Sequence, residues 1–198
     1  MKKILLLAAL LPAVASAQTF ERFYVGAGLG STDFDERKIF EGENAISAPY
    51  STDPGNTVKF IAGYQINRIV SVEAQYTNYG DVKFTFPEGN SQFKFEHTSV
   101  TVAANLGYTF DNGVRPFTTI GLGSMSIDTP GLSDSGSTYR LGLGLDYTPV
   151  QLGGVSFRAA YEVDYYEVEV TTSNGFFSTT KTYDPSIGAF YLAATYRF

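Results

Sequence analysis

His97 and Ser99 come nearer to a catalytic pair than any other combination of side chains in this sequence. A histidine base beside a hydroxyl can generate a nucleophile when a third polar group orients the imidazole. The surrounding residues alternate between apolar and polar, and this alternation places both side chains on the polar face of a strand. A packed histidine on that face is therefore the preferred interpretation. We expect no catalytic residue and no enzymatic activity.

Two further patterns suggest ligand binding, but their spacing does not support it. The glycines of Gly26-x-Gly28-x-Gly30 and Gly142-x-Gly144 precede no helix, so they lack the context of a phosphate-binding loop. On one face of a strand, such glycines make room for bulky neighbours. The segment 33–53 could hold calcium but lacks the ligand spacing of an EF-hand; its carboxylates are Asp33, Asp35, Glu36, Glu41, Glu43 and Asp53. We expect neither a cofactor nor a metal ion.

The elements that must position these residues are segments in which apolar and polar side chains alternate with a period of two. In the last segment, one face carries Phe190, Leu192 and Tyr196, whereas the other carries Arg197, which cannot face lipid. For this segment alone, an edge strand of a soluble sandwich is the alternative. Repeated over segments of about ten residues, the pattern predicts an all-β, eight-stranded antiparallel up-and-down transmembrane β-barrel. The segments are 22–30, 57–66, 69–79, 96–110, 114–125, 138–147, 155–166 and 187–198.

The connections alternate in length, as they do in outer-membrane barrels with short periplasmic turns and long extracellular loops. The short connections are 67–68, 111–113 with its Asn-Gly hairpin signal, and 148–154. The long connections are 31–56, 80–95, 126–137 and 167–184. In 80–95 and 167–184 the apolar alternation continues, which predicts hairpins that extend beyond the membrane.

The N-terminus and the composition indicate an exported protein. Residues 1–17 read as a signal peptide, because Lys2 and Lys3 precede an apolar run and Ala15-Ser16-Ala17 resembles a cleavage site. Residues 18–198 are then the barrel domain in the cell outer membrane. The net charge of −6 and the pI near 4.8 argue against nucleic acid as a partner. The sequence contains no cysteine, which excludes disulfides and a lipoprotein anchor at the cleavage site.

Three blocks of the sequence resemble the OmpA-like transmembrane domain, and opacity-type adhesins and accessory colonisation factors share them. The blocks are 63–76, 106–110 and 158–162. The resemblance implies a structural charge network inside the barrel, formed by Glu73, Asp146 and Arg158. The interior lysine of the family falls at Asn105, so we expect the network to have one cation fewer. The end of the last segment also resembles the signal that the barrel-assembly machinery recognises, here Leu192, Tyr196 and Phe198.

The expected function is that of an integral outer-membrane protein of a Gram-negative bacterium, surface-exposed and structural, with adhesion or host contact through its loops. A narrow channel is one alternative, disfavoured by the bulky inward side chains of Tyr24, Lys59, Phe117, Arg140, Tyr191 and Arg197. A lipid A-modifying enzyme is another, since PagL-type deacylases carry a His-x-Ser pair, but their wider motif is not reproduced. The expected partners are membrane lipid and lipopolysaccharide, the barrel-assembly machinery and a surface ligand, with the protein a monomer. No peptidoglycan tether is expected, because the chain lacks the periplasmic domain of OmpA-type proteins.

Overall fold

A computed structural model describes residues 22–35, 51–53, 55–86, 91–129, 132–166, 168–173, 178–183 and 185–198. The expected signal peptide, residues 1–17, lies outside this part of the chain. A single turn of 3-10 helix covers Val150–Leu152. In the described ranges, no helix is long and apolar enough to span a membrane. The strands are β1 (Phe23–Asp35), β2 (Ser51–Asp53), β3 (Asn56–Gln65), β4 (Val70–Phe86), β5 (Ser91–Gly107), β6 (Val114–Thr129), β7 (Leu132–Tyr147), β8 (Val155–Tyr166), β9 (Val168–Ser173), β10 (Ser178–Tyr183) and β11 (Ser186–Arg197).

Eight of these strands close into a barrel. Around the ring their order is β1, β3, β4, β5, β6, β7, β8 and β11, and each strand is antiparallel to both neighbours. The ring is completed by β1 and β11, which pair from Tyr24 opposite Arg197 to Asp35 opposite Ser186. This closure confirms the predicted eight-stranded up-and-down barrel and leaves no transmembrane strand with an open edge.

Side chains alternate around the barrel wall as predicted, but Arg197, which was predicted to crowd the lumen, is exposed at the end of β11. Inward side chains such as Lys59 and Glu73 are 1% and 0% exposed, whereas the outward Leu143 is 69% exposed. Leucine, tyrosine, valine and phenylalanine dominate the outward positions, whereas charged side chains such as Lys59, Glu73 and Arg140 lie inside. In a soluble protein such an apolar outer surface would be unfavourable, but in a bilayer it contacts hydrocarbon.

Several strands continue beyond the ends that the sequence indicated. The β4–β5 ladder runs to Phe86 opposite Ser91, with an irregularity between Asn78 and Asp81, and confirms the predicted hairpin in 80–95. The second predicted hairpin is also confirmed, because β9 pairs with β10. The prediction of a long loop at 126–137 was wrong, since β6 and β7 remain paired as far as Thr129 opposite Leu132. Outside the membrane a hairpin needs no apolar face, so its strands carry a weaker periodic signal.

The short connections have the local hydrogen bonds of tight turns. In the β3–β4 turn the Asn67 side-chain oxygen accepts bonds from the backbone N–H groups of Ile69 and Val70, both at 2.8 Å. In the β5–β6 turn Gly113 adopts a φ of +83°, which glycine reaches without steric cost. Its N–H donates to the carbonyl of Phe110 at 3.0 Å. The Asn-Gly turn predicted at 111–113 is therefore confirmed.

Candidate functional site

The interior of the barrel contains two layers of hydrogen-bonded charged side chains. The layer nearer the short turns, which we call the lower network, comprises Glu73 (β4), Asn105 (β5), Arg115 (β6), Asp146 (β7) and Arg158 (β8). The alternation in each strand directs these side chains inward, and closure of the ring brings five consecutive strands to the same level. The structure thus brings together all four residues that the family resemblance indicated.

Arg158 joins the two carboxylates of the lower network. Its Nη2 lies 2.9 Å from Glu73 Oε1, and its Nη1 lies 3.1 Å from Glu73 Oε2, which is a two-pronged contact. Its Nε donates to Asp146 Oδ1 at 2.8 Å. The guanidinium carbon also lies 4.5 Å from the centre of the Phe117 ring. A planar guanidinium suits this geometry because it can satisfy two carboxylates and stack on an aromatic face at once.

Glu73 receives three neutral hydrogen bonds in addition to those from Arg158. The Tyr24 hydroxyl donates to Oε1 at 2.5 Å, Gln75 Nε2 to Oε2 at 2.6 Å, and Asn105 Nδ2 to Oε1 at 3.1 Å. A fully buried carboxylate requires such saturation, because its lone pairs have lost their hydration.

Arg115 is a second cation of the lower network. Asn105 is neutral, and Arg115 on the neighbouring strand β6 places a positive charge beside it. Its Nη1 donates to Asn105 Oδ1 at 2.7 Å and lies 3.2 Å from Asp146 Oδ2. The sequence placed Arg115 inward, but the family comparison had pointed to a lysine on β5 and so did not reveal this second cation.

The second layer, which we call the upper network, was not anticipated from the sequence. It is centred on Arg140 (β7), which is completely buried. Arg140 contacts Asp164 through Nε and Nη2, both at 2.6 Å, and donates from Nη1 to Gln75 Oε1 at 2.5 Å. The hydroxyl of Tyr79 donates to the same carboxylate, at 2.8 Å from Asp164 Oδ2, the oxygen that Arg140 Nη2 also contacts.

A second ion pair, between Lys59 (β3) and Glu162 (β8), belongs to the upper network. The Tyr191 hydroxyl donates to Glu162 Oε1 at 3.0 Å, and Lys59 Nζ lies 4.7 Å from the centre of the Tyr191 ring. Arg140 Nη1 is 3.7 Å from Glu162 Oε2, which links the two pairs. Alternation had assigned all of these side chains to the interior. Their partnership could not be read from the sequence, because Lys59 and Glu162 are separated by 103 residues.

Apolar side chains fill the remaining cross-section of the barrel. A buried cluster contains aromatic rings from β1, β6 and β11 together with smaller residues: Tyr24, Ile61, Phe117, Ala160, Tyr191 and Ala193. Gly144 faces the Phe117 ring closely, since a Cβ at this position would lie 2.5 Å from Phe117 Cζ. Gly144 therefore makes room for a bulky neighbour, as predicted, whereas Gly26 and Gly28 lie against small side chains and backbone of β11. The cross-section of the barrel that contains this cluster is therefore filled by packed side chains.

His97 and Ser99 lie in the barrel interior, as their alternation indicated. Both are buried, and the Ser99 hydroxyl accepts a hydrogen bond from Arg140 Nη2 at 3.2 Å. The His97 ring lies 6.3 Å from the ring of Tyr166. Ser99 thus contacts a guanidinium, which stabilises a structure but supplies no base.

The other candidates from the sequence are located as follows. Among the described residues, no group of histidine, cysteine and carboxylate side chains has the arrangement of a metal site. Most of the acidic segment 33–53 lies outside these residues, but Asp33 accepts a hydrogen bond from the Tyr161 hydroxyl at 2.9 Å. Leu192, Tyr196 and Phe198 are exposed on the outer surface of the barrel. Their recognition by the assembly machinery stays a prediction.

A closed barrel with an apolar exterior and a charged, filled interior defines a small transmembrane barrel of the outer-membrane type. Residues 4–198 match the family model described as outer membrane protein beta-barrel domain. The chain belongs to this family, and it is an integral protein of the cell outer membrane.

Solved structures of other outer-membrane barrels share this fold. The crystal structure of Neisserial surface protein A is 17% identical, with 89% of this chain and 97% of that chain covered and a TM-score of 0.55. The crystal structure of OprG from Pseudomonas aeruginosa is 12% identical, with the same coverage and a TM-score of 0.54. The solution structure of OprH from P. aeruginosa is 20% identical, covers 89% and 99%, and has a TM-score of 0.51. No curated protein matches the chain in sequence.

Proposed function

We propose that this protein is a closed membrane scaffold that displays extended β-hairpins at the cell surface for adhesion or contact with a host or another surface ligand. The observation that supports this proposal is the combination of a filled interior with strands longer than the membrane requires. A tilted transmembrane strand needs about 10 residues. The strands β4 and β5 have 17 residues each, and β6 and β7 have 16.

The excess length defines how far the hairpins project. Six or seven additional residues at about 3.3 Å each extend a hairpin by about 20 Å along its strands. A rigid, hydrogen-bonded projection of this length can present side chains beyond the lipid head groups with little loss of conformational entropy on binding. Loops on rigid scaffolds commonly carry recognition. We therefore assign the recognition to the hairpins and the anchoring to the barrel.

The packed interior argues against a transport function. Passage of an ion along the axis would require it to cross two networks whose central side chains, Arg140 and Glu73, are fully buried and paired. Opening either network would separate charges in a medium of low dielectric constant, which is energetically unfavourable. Enzymatic activity is likewise not part of the proposal, because Ser99 is engaged by Arg140.

Display can be tested with protease sites inserted into the two ends of the barrel. One variant carries the site between Thr129 and Leu132, at the tip of the β6–β7 hairpin; the matched control carries it between Val150 and Leu152, in a short turn. We expect cleavage of the first site in intact cells and cleavage of the second after permeabilisation of the outer membrane. Protection of the hairpin site in intact cells would contradict surface display.

Adhesion is tested separately by shortening one hairpin. Residues 82–95, which include the paired ends of β4 and β5, are replaced by Asn-Gly, and residues 127–134 are shortened in a second variant. We expect a loss of cell attachment in at least one variant, with the heat-modifiable migration of a folded barrel retained. If both variants remain folded and attach as well as the parent, the adhesive role is wrong. The hairpins would then be displayed at the surface for a purpose other than adhesion.

The proposal includes partners in assembly as well. A signal peptide at residues 1–17 directs export, the assembly machinery recognises the last strand through Leu192, Tyr196 and Phe198, and the mature monomer contacts phospholipid and lipopolysaccharide. Replacement of Phe198 by serine should lower the amount of folded barrel in the outer membrane, whereas Phe190→Ser, on the same face near the other end of the strand, should lower it less. Equal effects would argue against a terminal signal.

A further inference from the structure

We propose that the periplasmic rim of the barrel contains a binding site for an anionic phospholipid of the inner leaflet. The site is a groove of about 510 Å³ at the end that carries the short turns. Three arginines line it: Arg22 before β1, Arg68 in the β3–β4 turn and Arg197 at the end of β11. We refer to it as the rim groove. Short turns face the periplasm in outer-membrane barrels, so the rim groove lies beside phospholipid head groups.

The rim arginines differ from the interior arginines in their partners. Arg115, Arg140 and Arg158 all lie within ion-pair distance of a carboxylate inside the barrel. Among the described residues, by contrast, no carboxylate pairs with Arg22, Arg68 or Arg197, and none lines the rim groove. This local positive charge contrasts with the net charge of −6 for the whole chain. An excess of unpaired cations at one site favours an anionic ligand.

Hydrogen bonds connect two of these arginines, Arg22 and Arg197, to residues at the end of β3, just before the β3–β4 turn. Arg22 Nη1 donates to the carbonyl of Ile66 at 3.0 Å, and Arg197 Nη2 donates to Gln65 Oε1 at 3.2 Å. Each guanidinium has five N–H donors, so most remain available to a ligand. Guanidinium groups bind phosphate oxygens in a two-pronged geometry, and several around one groove can surround a phosphodiester.

The surface next to the rim groove identifies the ligand as a lipid. Ile66, Ile69, Tyr108 and Phe110 are all exposed at this end of the barrel. Tyr108 and Phe110 contact each other edge to face with ring centres 5.3 Å apart, and Arg68 Cζ lies 6.0 Å from the Tyr108 ring centre. Cationic groups thus adjoin an apolar, lipid-facing surface. A phospholipid matches both features, because its phosphate would enter the groove while its acyl chains lie along the apolar residues.

A smaller cavity inside the barrel, at the same end, does not provide an equivalent phosphate-binding site. It has a volume of about 270 Å³ and is lined by Arg115 and Arg158, but also by Asp111 and Asp146. Arg115 and Arg158 are already paired with carboxylates, so a phosphate there would have to displace existing ion pairs; the cavity's third arginine, Arg197, is shared with the rim groove. The rim groove requires no such displacement.

The test measures lipid retention by the folded full-length barrel in zwitterionic micelles, using native mass spectrometry. Titrations with dioleoyl-phosphatidylglycerol, dioleoyl-phosphatidylcholine and inorganic phosphate form three arms. We expect tight retention of phosphatidylglycerol, weak retention of phosphatidylcholine and no saturable binding of phosphate alone. Each of the substitutions Arg22→Gln, Arg68→Gln and Arg197→Gln should weaken phosphatidylglycerol binding about fivefold, and the triple variant should lose the preference.

The matched control removes three positive charges at the other end. Lys83→Gln, Lys94→Gln and Lys181→Gln lie on β4, β5 and β10 and change the net charge by the same amount. The control should retain the preference within about twofold. Equal losses in the two triple variants would overturn the proposal, because net charge would then explain the binding. Equal retention of both lipids by the parent would overturn it as well, and saturable binding of phosphate alone would overturn the assignment to a lipid.

Discussion

Replacement of Arg158 by methionine tests the idea that the lower network stabilises the barrel. Methionine has a comparable length but no charge, so the substitution removes the cation between Glu73 and Asp146 with little loss of packing. Arg158 makes four contacts of 2.8 to 3.2 Å with these two carboxylates. Breaking a buried ion pair in this way typically costs about 3–5 kcal/mol, because the remaining charge is uncompensated.

The remaining contacts of the two carboxylates place the expected loss of stability at the lower end of that range. Asp146 keeps a second cation, Arg115, at 3.2 Å. Glu73 retains three neutral donors but loses its cation, and it is fully buried. We therefore expect Arg158→Met to lower the free energy of unfolding by about 3 kcal/mol, nearly all of it from Glu73.

A double-mutant cycle measures the interaction energy between Glu73 and Arg158 separately from their contacts with other residues. Glu73→Gln alone should also destabilise, because Arg158 then shares Asp146 with Arg115. The double variant, Glu73→Gln with Arg158→Met, should be more stable than the sum of the two single losses predicts, by about 2 kcal/mol. Removing both partners leaves neutral side chains that no longer require a counter-ion.

The free energies are obtained from urea titrations of the barrel folded in lipid vesicles, by linear extrapolation. The chain contains no tryptophan, so far-ultraviolet circular dichroism and the heat-modifiable gel shift replace tryptophan fluorescence. Thr119→Val is the control: Thr119 is buried, its hydroxyl bonds to none of the described residues, and its loss should change stability by less than about 0.5 kcal/mol or increase it. The reasoning is refuted if Arg158→Met is no more destabilising than Thr119→Val, or if the single losses are additive.

Three further predictions concern the upper network, the packing and the closed interior. Glu162→Gln should destabilise by about 3 kcal/mol in the same titration, because it removes the carboxylate with which Lys59 pairs; a change below about 1 kcal/mol would contradict this. Gly63→Ala places a Cβ 2.2 Å from Cζ of the buried Tyr24 ring and should destabilise by about 2 kcal/mol; an unchanged urea midpoint would show that the ring moves freely. In planar bilayers the purified protein should give no reproducible conductance steps, and regular steps abolished by Arg140→Gln would instead indicate a channel through the upper network.

The fold was largely predictable from the sequence because a transmembrane barrel imposes the same rule on every strand. Outward side chains meet hydrocarbon and inward ones do not, so a period of two reports the orientation of each residue directly. This is why Lys59, Arg140 and Arg158 could all be assigned to the interior before their partners were known. The rule weakens where the strands leave the membrane, and for this reason the sequence predicts a loop where the β6–β7 hairpin continues beyond Ser126.

The site was predictable in part. The resemblance to a family implied four residues of the lower network, of which Glu73 and Arg158 lie in the short sequence blocks that carry the resemblance, and Asn105 and Asp146 lie outside them. Those blocks could not reveal Arg115 as a second cation of the network, since Arg115 lies on a different strand from Asn105. The upper network has no family motif to mark it, and Lys59 and Glu162 are 103 residues apart.

The sequence by itself determined which face of each strand is apolar, where the tight turns lie and that the barrel has eight strands. Tertiary structure alone decided which inward charges share a level, because that depends on the register of each strand against its neighbour and on the closure of β1 against β11. Alternation is a local property of the chain, since it follows from the geometry of one strand. Pairing across the lumen is a property of the closed ring, and the rim groove likewise exists only where closure brings residues 22, 68 and 197 together.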